Sequence, residues 1–519
     1  MPSITHRRRF GRGKARLALV TLVTLVTLVA LVAILAWIVS RRGGGPGDDD
    51  RELDVVVITL DTLRFDRLGA HGNFGARTPN LDALARESIV FSNCMTTAPT
   101  TLAAHTSLFT GKHPHSHGVP RNGFTVHPEN RMLAEILRDH GYATVGIAGS
   151  FALDARFGIA QGFDRYDSEF DLAAEEGGRD QDQRDARAVT DAAIRHLEET
   201  SDARRRLLFV HYFDPHLPYD PPEPWARRHG ETEPREPIDV EAVRERASLR
   251  PGVDFPAAER LVRRHDGEVS FLDRELGRLL ARLRDSGILD RSLLVVVSDH
   301  GENFHDHDDT FDHGHTVYES TVHAVCMIRP PASRGIGDAR GRAARGTGRG
   351  VLVDSPVSVV DLLPTVLDRL GIEAPPRVEG RVLDLDVRES APRDRLRFAE
   401  ATKPWQDVER EGRWHNLYKA RCVRSGPWKL VQIPYLSREE LYRLDRDPGE
   451  RTDLLRGLAA DAAPDPERDA ILGRLRTELE VWAGSAVPLP SVPEGGGLGD
   501  TEERLRNLGY LDPRERVGK

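Results

Sequence analysis

Read for its hydrophobic and polar positions, the chain changes character near residue 42. Leu17–Val39, LALVTLVTLVTLVALVAILAWIV, runs for 23 residues without a charge, and about 20 suffice to cross a bilayer as a helix. Arg7, Arg8, Arg9, Arg12, Lys14 and Arg16 precede the run and Arg41 and Arg42 follow it. That bias predicts a single-pass membrane protein with a cytoplasmic N-terminus and a periplasmic or extracellular body. The expected order is a basic cytoplasmic segment (1–16), a transmembrane helix (17–39) and a linker (40–52) made flexible by GGGPGDDD. A cleaved signal peptide would have a shorter apolar core and a small-residue cleavage site.

Past the linker, the apolar run Val55–Leu60 is too continuous for a half-exposed strand and suits one buried on both faces. Asp61 follows it directly. RRLLFVHYFDPHLPY (205–219) and RSLLVVVSDHGENF (291–304) repeat the arrangement, an apolar run closed by Asp and His. Between them, AERLVRRHDGEVSFLDRELGRLLARLRDSG (258–287) places apolar residues at three- and four-residue spacing and predicts an amphipathic helix. Strands alternating with helices predict an α/β fold, a mostly parallel sheet sandwiched by helices. From about residue 375, CVRSGPWKLVQIP reads as a hairpin and ELYRLDRDPGERTDLL as a strand, a turn and a helix start. A main domain over 53–374 is therefore expected to precede a smaller α+β subdomain and tail over 375–519. The Arg/Gly-rich stretch 333–350 reads as a surface loop.

Charge narrows the partners. The net charge of -9 includes eight basic residues and no acid before residue 43, so the rest of the chain carries -17. A body that acidic is a poor fit for nucleic acid, whose phosphates need clustered Lys and Arg. Three cysteines, Cys94, Cys326 and Cys422, make neither a disulfide framework nor a zinc motif and read as core residues.

Parallel strands deliver their C-terminal ends to one edge, where ligands bind. Here those ends carry Asp61-Thr62, His211 with Asp214 and His216, and Asp299-His300; Asp312-His313-Gly314-His315 follows closely. Each group alone has a plain reading, as a helix cap or a solvated loop. Together they are carboxylates and imidazoles able to share a cation. TTAPTTLAAHTSLFTG (96–111) adds hydroxyls before an apolar run, which is also a common helix start.

From residue 53 to about 455 the chain resembles the sulfatase family of the alkaline-phosphatase-like superfamily. The matching stretches are DVVVITLDTLRFDRLGAHG, TPNLDALARESIVFSNCMTTAPTTLAAHTSLFTGKHPHSHGV, HYFDPHLPY, DGEVSFLDRELGRLLARLRDSGILDRSLLVVVSDHGE, YEST and ELYRLDRDPGE. The resemblance places the family's nucleophile motif on Thr101–His105, with Thr101 where family members oxidise Cys or Ser to formylglycine and Thr100 as the runner-up. No formylglycine is expected, because the Thr101 β-carbon carries a methyl group and the same oxidation would stop at a ketone. In related branches, phosphoethanolamine transferases and nucleotide pyrophosphatase/phosphodiesterases, an unmodified threonine stands there. A hydroxyl of high pKa becomes a good nucleophile beside a divalent metal.

By resemblance, Asp61, Asp299, His300 and Thr101 hold one divalent metal ion, and Thr62 stands where sulfatases carry a second Asp. Zinc or calcium is expected, with manganese also in range; the imidazole and the lost carboxylate lean away from calcium. His216 is implied as the acid for the leaving oxygen. His313 and His315 are placed to contact the substrate anion, as is His105 in place of the motif arginine. AGSFAL (148–153) offers neither the lysine nor the histidine of the family's stretch there. His211, Asp214, His305, Asp306 and His307 are assigned to support or surface. The expected activity is hydrolysis of a sulfate or phosphate ester on a small molecule, glycan or lipid head group. The alternatives are a phosphoethanolamine-type transferase and a non-catalytic metal- or anion-binding module.

Overall fold

Eight short runs, most of them rich in Val, Ile, Leu or Phe, form the main sheet of the computed structural model: β1 (Asp54–Leu60), β2 (Ile89–Phe91), β3 (Ala143–Ile147), β4 (Arg165–Asp167), β5 (Arg206–Tyr212), β6 (Ser292–Ser298), β7 (Cys326–Arg329) and β8 (Val351–Val353). The structure describes residues 53–508 apart from 74, 171–181, 201–202, 204, 232–236, 250–255, 308–309, 333–349, 388–391, 403–417, 457–464, 486–488 and 494–497. The strand order is β8-β2-β7-β6-β1-β5-β3-β4. The centre is parallel as expected, β1 pairing with β5 and β6, and β5 with β3. The sheet as a whole is mixed, because β7 runs antiparallel to both β6 and β2.

Every residue of β1, β5 and β6 is buried. Alternate side chains point to opposite faces. Val56, Ile58 and Leu60 of β1 join a core with α2 (Ala186–Glu199) and α3 (Pro256–Asp285), the latter lying within two residues of its predicted span. Thr59 points the other way, toward α1 (Thr101–Thr110), where Phe109 meets Phe209 of β5 edge-on at 4.9 Å. All ten residues of α1 are buried, which its uncharged sequence permits. Two of its hydroxyls are absorbed internally: Thr106 Oγ1 donates to the Leu102 carbonyl and Thr110 Oγ1 to the Thr106 carbonyl. Gly111, in the left-handed region at φ 67°, ends the helix.

The C-terminal part is an antiparallel sheet of β9 (Arg397–Ala401), β10 (Ala420–Ser425), β11 (Trp428–Ile433) and β12 (Arg438–Arg443), in that order. The expected hairpin is β10–β11. Leu472, Leu475, Leu479 and Trp482 of α4 (Pro466–Gly484) cover one face. The other face packs on Met95, Val317 and Tyr318 of the main domain.

A buried ion network crosses that second face. Lys429 Nζ lies 2.9 Å from Glu319 Oε1 and 2.8 Å from Glu450 Oε1, and Arg424 Nη1 lies 2.6 Å from Glu319 Oε2. Burial alone would lower the Lys429 pKa, but Glu319 and Glu450 hold it above the usual value. Lys429→Met would leave Glu450 buried without its cation. The expected cost is about 3–5 kcal/mol, measured as a fall in the urea midpoint.

The three cysteines are buried and unbridged. The expected transmembrane helix (17–39), its flanks (1–16 and 40–52) and residues 333–349 of the Arg/Gly-rich stretch lie outside the described residues. Among those described, no helix is long and apolar enough to cross a membrane.

Candidate active site

β1 and β6 end side by side, and their terminal polar residues fold over the same edge. Asp299 Oδ1 accepts from the backbone N–H of His300 at 2.7 Å and of Thr62 at 3.3 Å. Thr62 reaches that bond at φ 52°, a conformation costly for a β-branched residue. The other oxygen, Asp299 Oδ2, is buried with no hydrogen-bond partner, and so are Asp61 Oδ1 and His300 Nε2. His300 Nδ1–H donates to the Gly301 carbonyl at 2.9 Å, which directs the Nε2 lone pair inward. Nε2 stands 3.7 Å from Asp61 Oδ1 and 3.6 Å from Asp299 Oδ2.

Three buried ligand atoms without partners, converging on one point, fit a divalent cation. Ligand atoms of Asp61, Asp299 and His300 lie within 4.8 Å of one another. Burial raises the carboxyl pKa of Asp61 and of Asp299. Burial would lower that of His300, but Asp299 and Asp61 outweigh it and raise it. The carboxylates therefore gain from positive charge between them.

Thr101 is the first residue of α1 and its Oγ1 lies 3.5 Å from Asp61 Oδ2. The helix presents its positive end here. Thr100, at the N-cap, makes no side-chain capping bond, and the Leu102 N–H donates instead to Asn122 Oδ1 at 2.8 Å. Asn122 Nδ2 is buried with no hydrogen-bond partner, a spare donor beside the helix start. No strand end or spacing marks Asn122 in the sequence.

The histidines separate into groups. His216 donates from Nδ1 to the Leu217 carbonyl at 2.6 Å and stacks on Phe213 at 4.4 Å. Burial lowers its pKa to about 3, so it is held neutral, an acceptor at Nε2 and not the ready acid that was expected. His313 lies between His300 and His216, with rings 4.6 and 5.1 Å away, and its Nδ1 is 3.3 Å from Glu302 Oε1. His315 is more open. Its side chain is 31% exposed and its Nδ1 lies 3.5 Å from Asp312.

His105 sits one turn along α1 from Thr101, fully buried. Its Nδ1–H donates to the Thr101 carbonyl at 2.7 Å and its Nε2 accepts from Thr59 Oγ1 at 2.8 Å. Burial lowers its pKa to about 3 and keeps it neutral. Both ring nitrogens are thus committed inside the protein, which corrects the expectation that His105 contacts substrate in place of arginine; it ties α1 to β1.

His211, assigned to support or surface, is fully buried with Nε2 3.4 Å from Asp61 Oδ2. Asp306 pairs with Arg64 and His307 stacks on Tyr318 at 3.6 Å. Glu302 had no assigned role. Burial, reinforced by Asp312, pushes its pKa up to about 7, and the DHGE string was its only visible sign.

A hydroxyl at a helix N-terminus, beside a cluster of buried, partnerless ligand atoms and neutral imidazoles, is equipped for displacement on an anionic ester. The family profile described as Sulfatase matches residues 54–372. Over 455 residues the chain is 23% identical to an arylsulfatase of Clostridium perfringens, covering 78% of this chain and 90% of that protein. Its fold is similar to phosphonate monoester hydrolase of Agrobacterium radiobacter, with 22% identity, a TM-score of 0.62, and coverage of 83% of this chain and 95% of that one. It is also similar to a protein solved in complex with D-glucosamine-2-N,6-O-disulfate, with 20% identity, a TM-score of 0.63, and coverage of 86% and 100%. With the profile spanning more than half of its residues, the chain belongs to the sulfatase family and is an ester hydrolase.

Proposed function

We propose that the chain is a membrane-anchored, metal-dependent hydrolase that cleaves a sulfate or phosphate ester by attack of Thr101 Oγ1 on sulfur or phosphorus. The 3.5 Å approach of that oxygen to Asp61 Oδ2, beside the unpartnered ligand atoms, carries the reading. Asp61, Asp299 and His300 would hold a divalent ion next to Thr101. Such an ion supplies the positive charge that makes a hydroxyl nucleophilic at neutral pH.

The remaining work falls to the chain's own groups. Asp61 Oδ2 accepts the Thr101 proton as attack begins. The N-terminus of α1 and Asn122 Nδ2 donate to the outer oxygens of the ester. His216 enters neutral; the negative charge of the bound ester raises its pKa, Nε2 takes up a proton from solvent, and that proton passes to the leaving oxygen. His313 shares the charge between His216 and His300. Water then attacks sulfur or phosphorus, its proton passing to the neutral His216, and the Thr101 oxygen leaves with the proton held on Asp61, so that the hydroxyl is restored. Threonine in place of formylglycine, and the missing arginine, lysine and histidine, favour phosphorus.

The arylsulfatase and the disulfated-glucosamine complex support a sulfated substrate, and the phosphonate monoester hydrolase a phosphorus one. The anchor rests on the uncharged run Leu17–Val39 and the basic residues before it. A panel of chromogenic sulfate, phosphate monoester, phosphodiester and phosphonate substrates, run on chelator-stripped protein reloaded with zinc, manganese or calcium, tests the activity. Turnover of at least one ester, rising about tenfold or more on reloading, is expected. Anion binding without turnover of any ester would make the chain a binding module.

A further inference from the structure

We propose that His211 is a positioning residue that orients the Asp61 carboxylate, through an imidazole whose tautomer is set by the Gly149 backbone N–H. The inference rests on the metal-dependent reading above. His211 lies in β5 directly across from Thr59 of β1, on the sheet face that meets α1. The Gly149 N–H donates to His211 Nδ1 at 3.2 Å. A ring nitrogen that accepts carries no proton, so the neutral ring holds its proton on Nε2. That nitrogen lies 3.4 Å from Asp61 Oδ2, the oxygen that also faces Thr101 Oγ1.

The Thr101 O–H donates to Oδ2. The His211 Nε2 stands 3.4 Å from the same oxygen without completing a hydrogen bond, so it acts on the carboxylate through the nearness of its positive N–H end. The partnerless Oδ1 is left facing His300. The opposite tautomer would set Nδ1–H against the Gly149 N–H and a lone pair against the carboxylate. His105, His211 and Asp299 also lie within ligand distance of one another. With both His105 nitrogens bonded and Nε2–H on His211, they form a support beneath Asp61 and not a second cation site.

Gly149 is suited to this role by its missing side chain. A Cβ there would stand 2.6 Å from the His211 carbonyl oxygen and 2.9 Å from the Phe213 nitrogen, so a larger residue would hold the N–H away from β5. This is the AGSFAL stretch that offers no lysine or histidine. It contributes a backbone donor.

Two substitutions separate the halves of the arrangement. His211→Asn keeps an acceptor near Nδ1 and loses the donor to Asp61; His211→Gln restores an N–H near Nε2. Zinc titrations of the metal-free, full-length protein should show the dissociation constant rising roughly 10–100-fold in His211→Asn, with His211→Gln recovering most of the loss. Thermal melts check that both variants fold. Histidine-labelled protein gives the second readout: the NMR signal that disappears in His211→Gln should have the Nε2–H pattern. An Nδ1–H pattern, or His211→Asn binding zinc as tightly as the parent, would overturn the assignment. The tautomer is read without metal or turnover. An Nε2–H signal in a protein that hydrolyses no ester would support His211 and count against the proposed activity.

Discussion

Thr101→Ala is expected to lower kcat by about a thousandfold or more on whichever ester the protein turns over, with KM little changed. The fold should not register the change. The Leu102 N–H is held by Asn122, and alanine is the better helix former. Melting by circular dichroism should therefore match the parent within a few degrees. Thr101→Ser keeps the oxygen and removes only the methyl group, so it should retain activity within about tenfold. This pattern separates chemistry from scaffold: an inactive alanine variant, a working serine variant and equal stability. It also speaks against a role for Thr100, whose hydroxyl remains in both variants.

Asp61→Asn is expected to abolish metal-dependent turnover and to stabilise the metal-free protein at neutral pH. The sign follows from burial, which raises the pKa of Asp61 and Asp299 above their unfolded values. The folded protein then holds protons that the unfolded chain releases. Its stability is fullest below the unfolded pKa and falls as pH rises through the raised folded pKa. Removing one carboxylate relieves that penalty, and binding a cation relieves it in the parent. Melts at acid and neutral pH, with and without added zinc, check this. The metal-free parent should lose more stability than the variant as pH rises. Zinc should raise the melting temperature of the parent and leave the variant almost unmoved. A variant less stable than the metal-free parent at neutral pH would mean that His216, His300 and Thr101 already compensate the Asp61 charge without a cation.

Much of the fold was legible because its signals are local. The unbroken apolar runs of β1, β5 and β6 and the period of α3 announce themselves within a few residues. The reversal of β7 was not legible: Cys326–Arg329 is a short apolar run, and its direction depends on β6 and β2, which lie far from it in the chain. The same divide runs through the site. Asp61, Asp299 and His300 stood out because each follows a strand. Thr101 was found through a motif position, which specifies place but not partners. His105 shows the limit of that argument. Its position matches an arginine, yet Thr59 and the Thr101 carbonyl occupy both ring nitrogens, and neither contact has a sequence signature. Asn122 and Glu302 act through distant segments, and nothing near them in the chain says so.

The proposed reaction forms a covalent bond to Thr101, and trapping that bond is its most direct test. Protein mixed with a saturating substrate, quenched within one turnover and digested should yield the peptide containing Thr101 with one sulfuryl or phosphoryl group attached to that hydroxyl. The same group found on another residue, or a Thr101→Ala variant that turns over at the parent's rate, would contradict it.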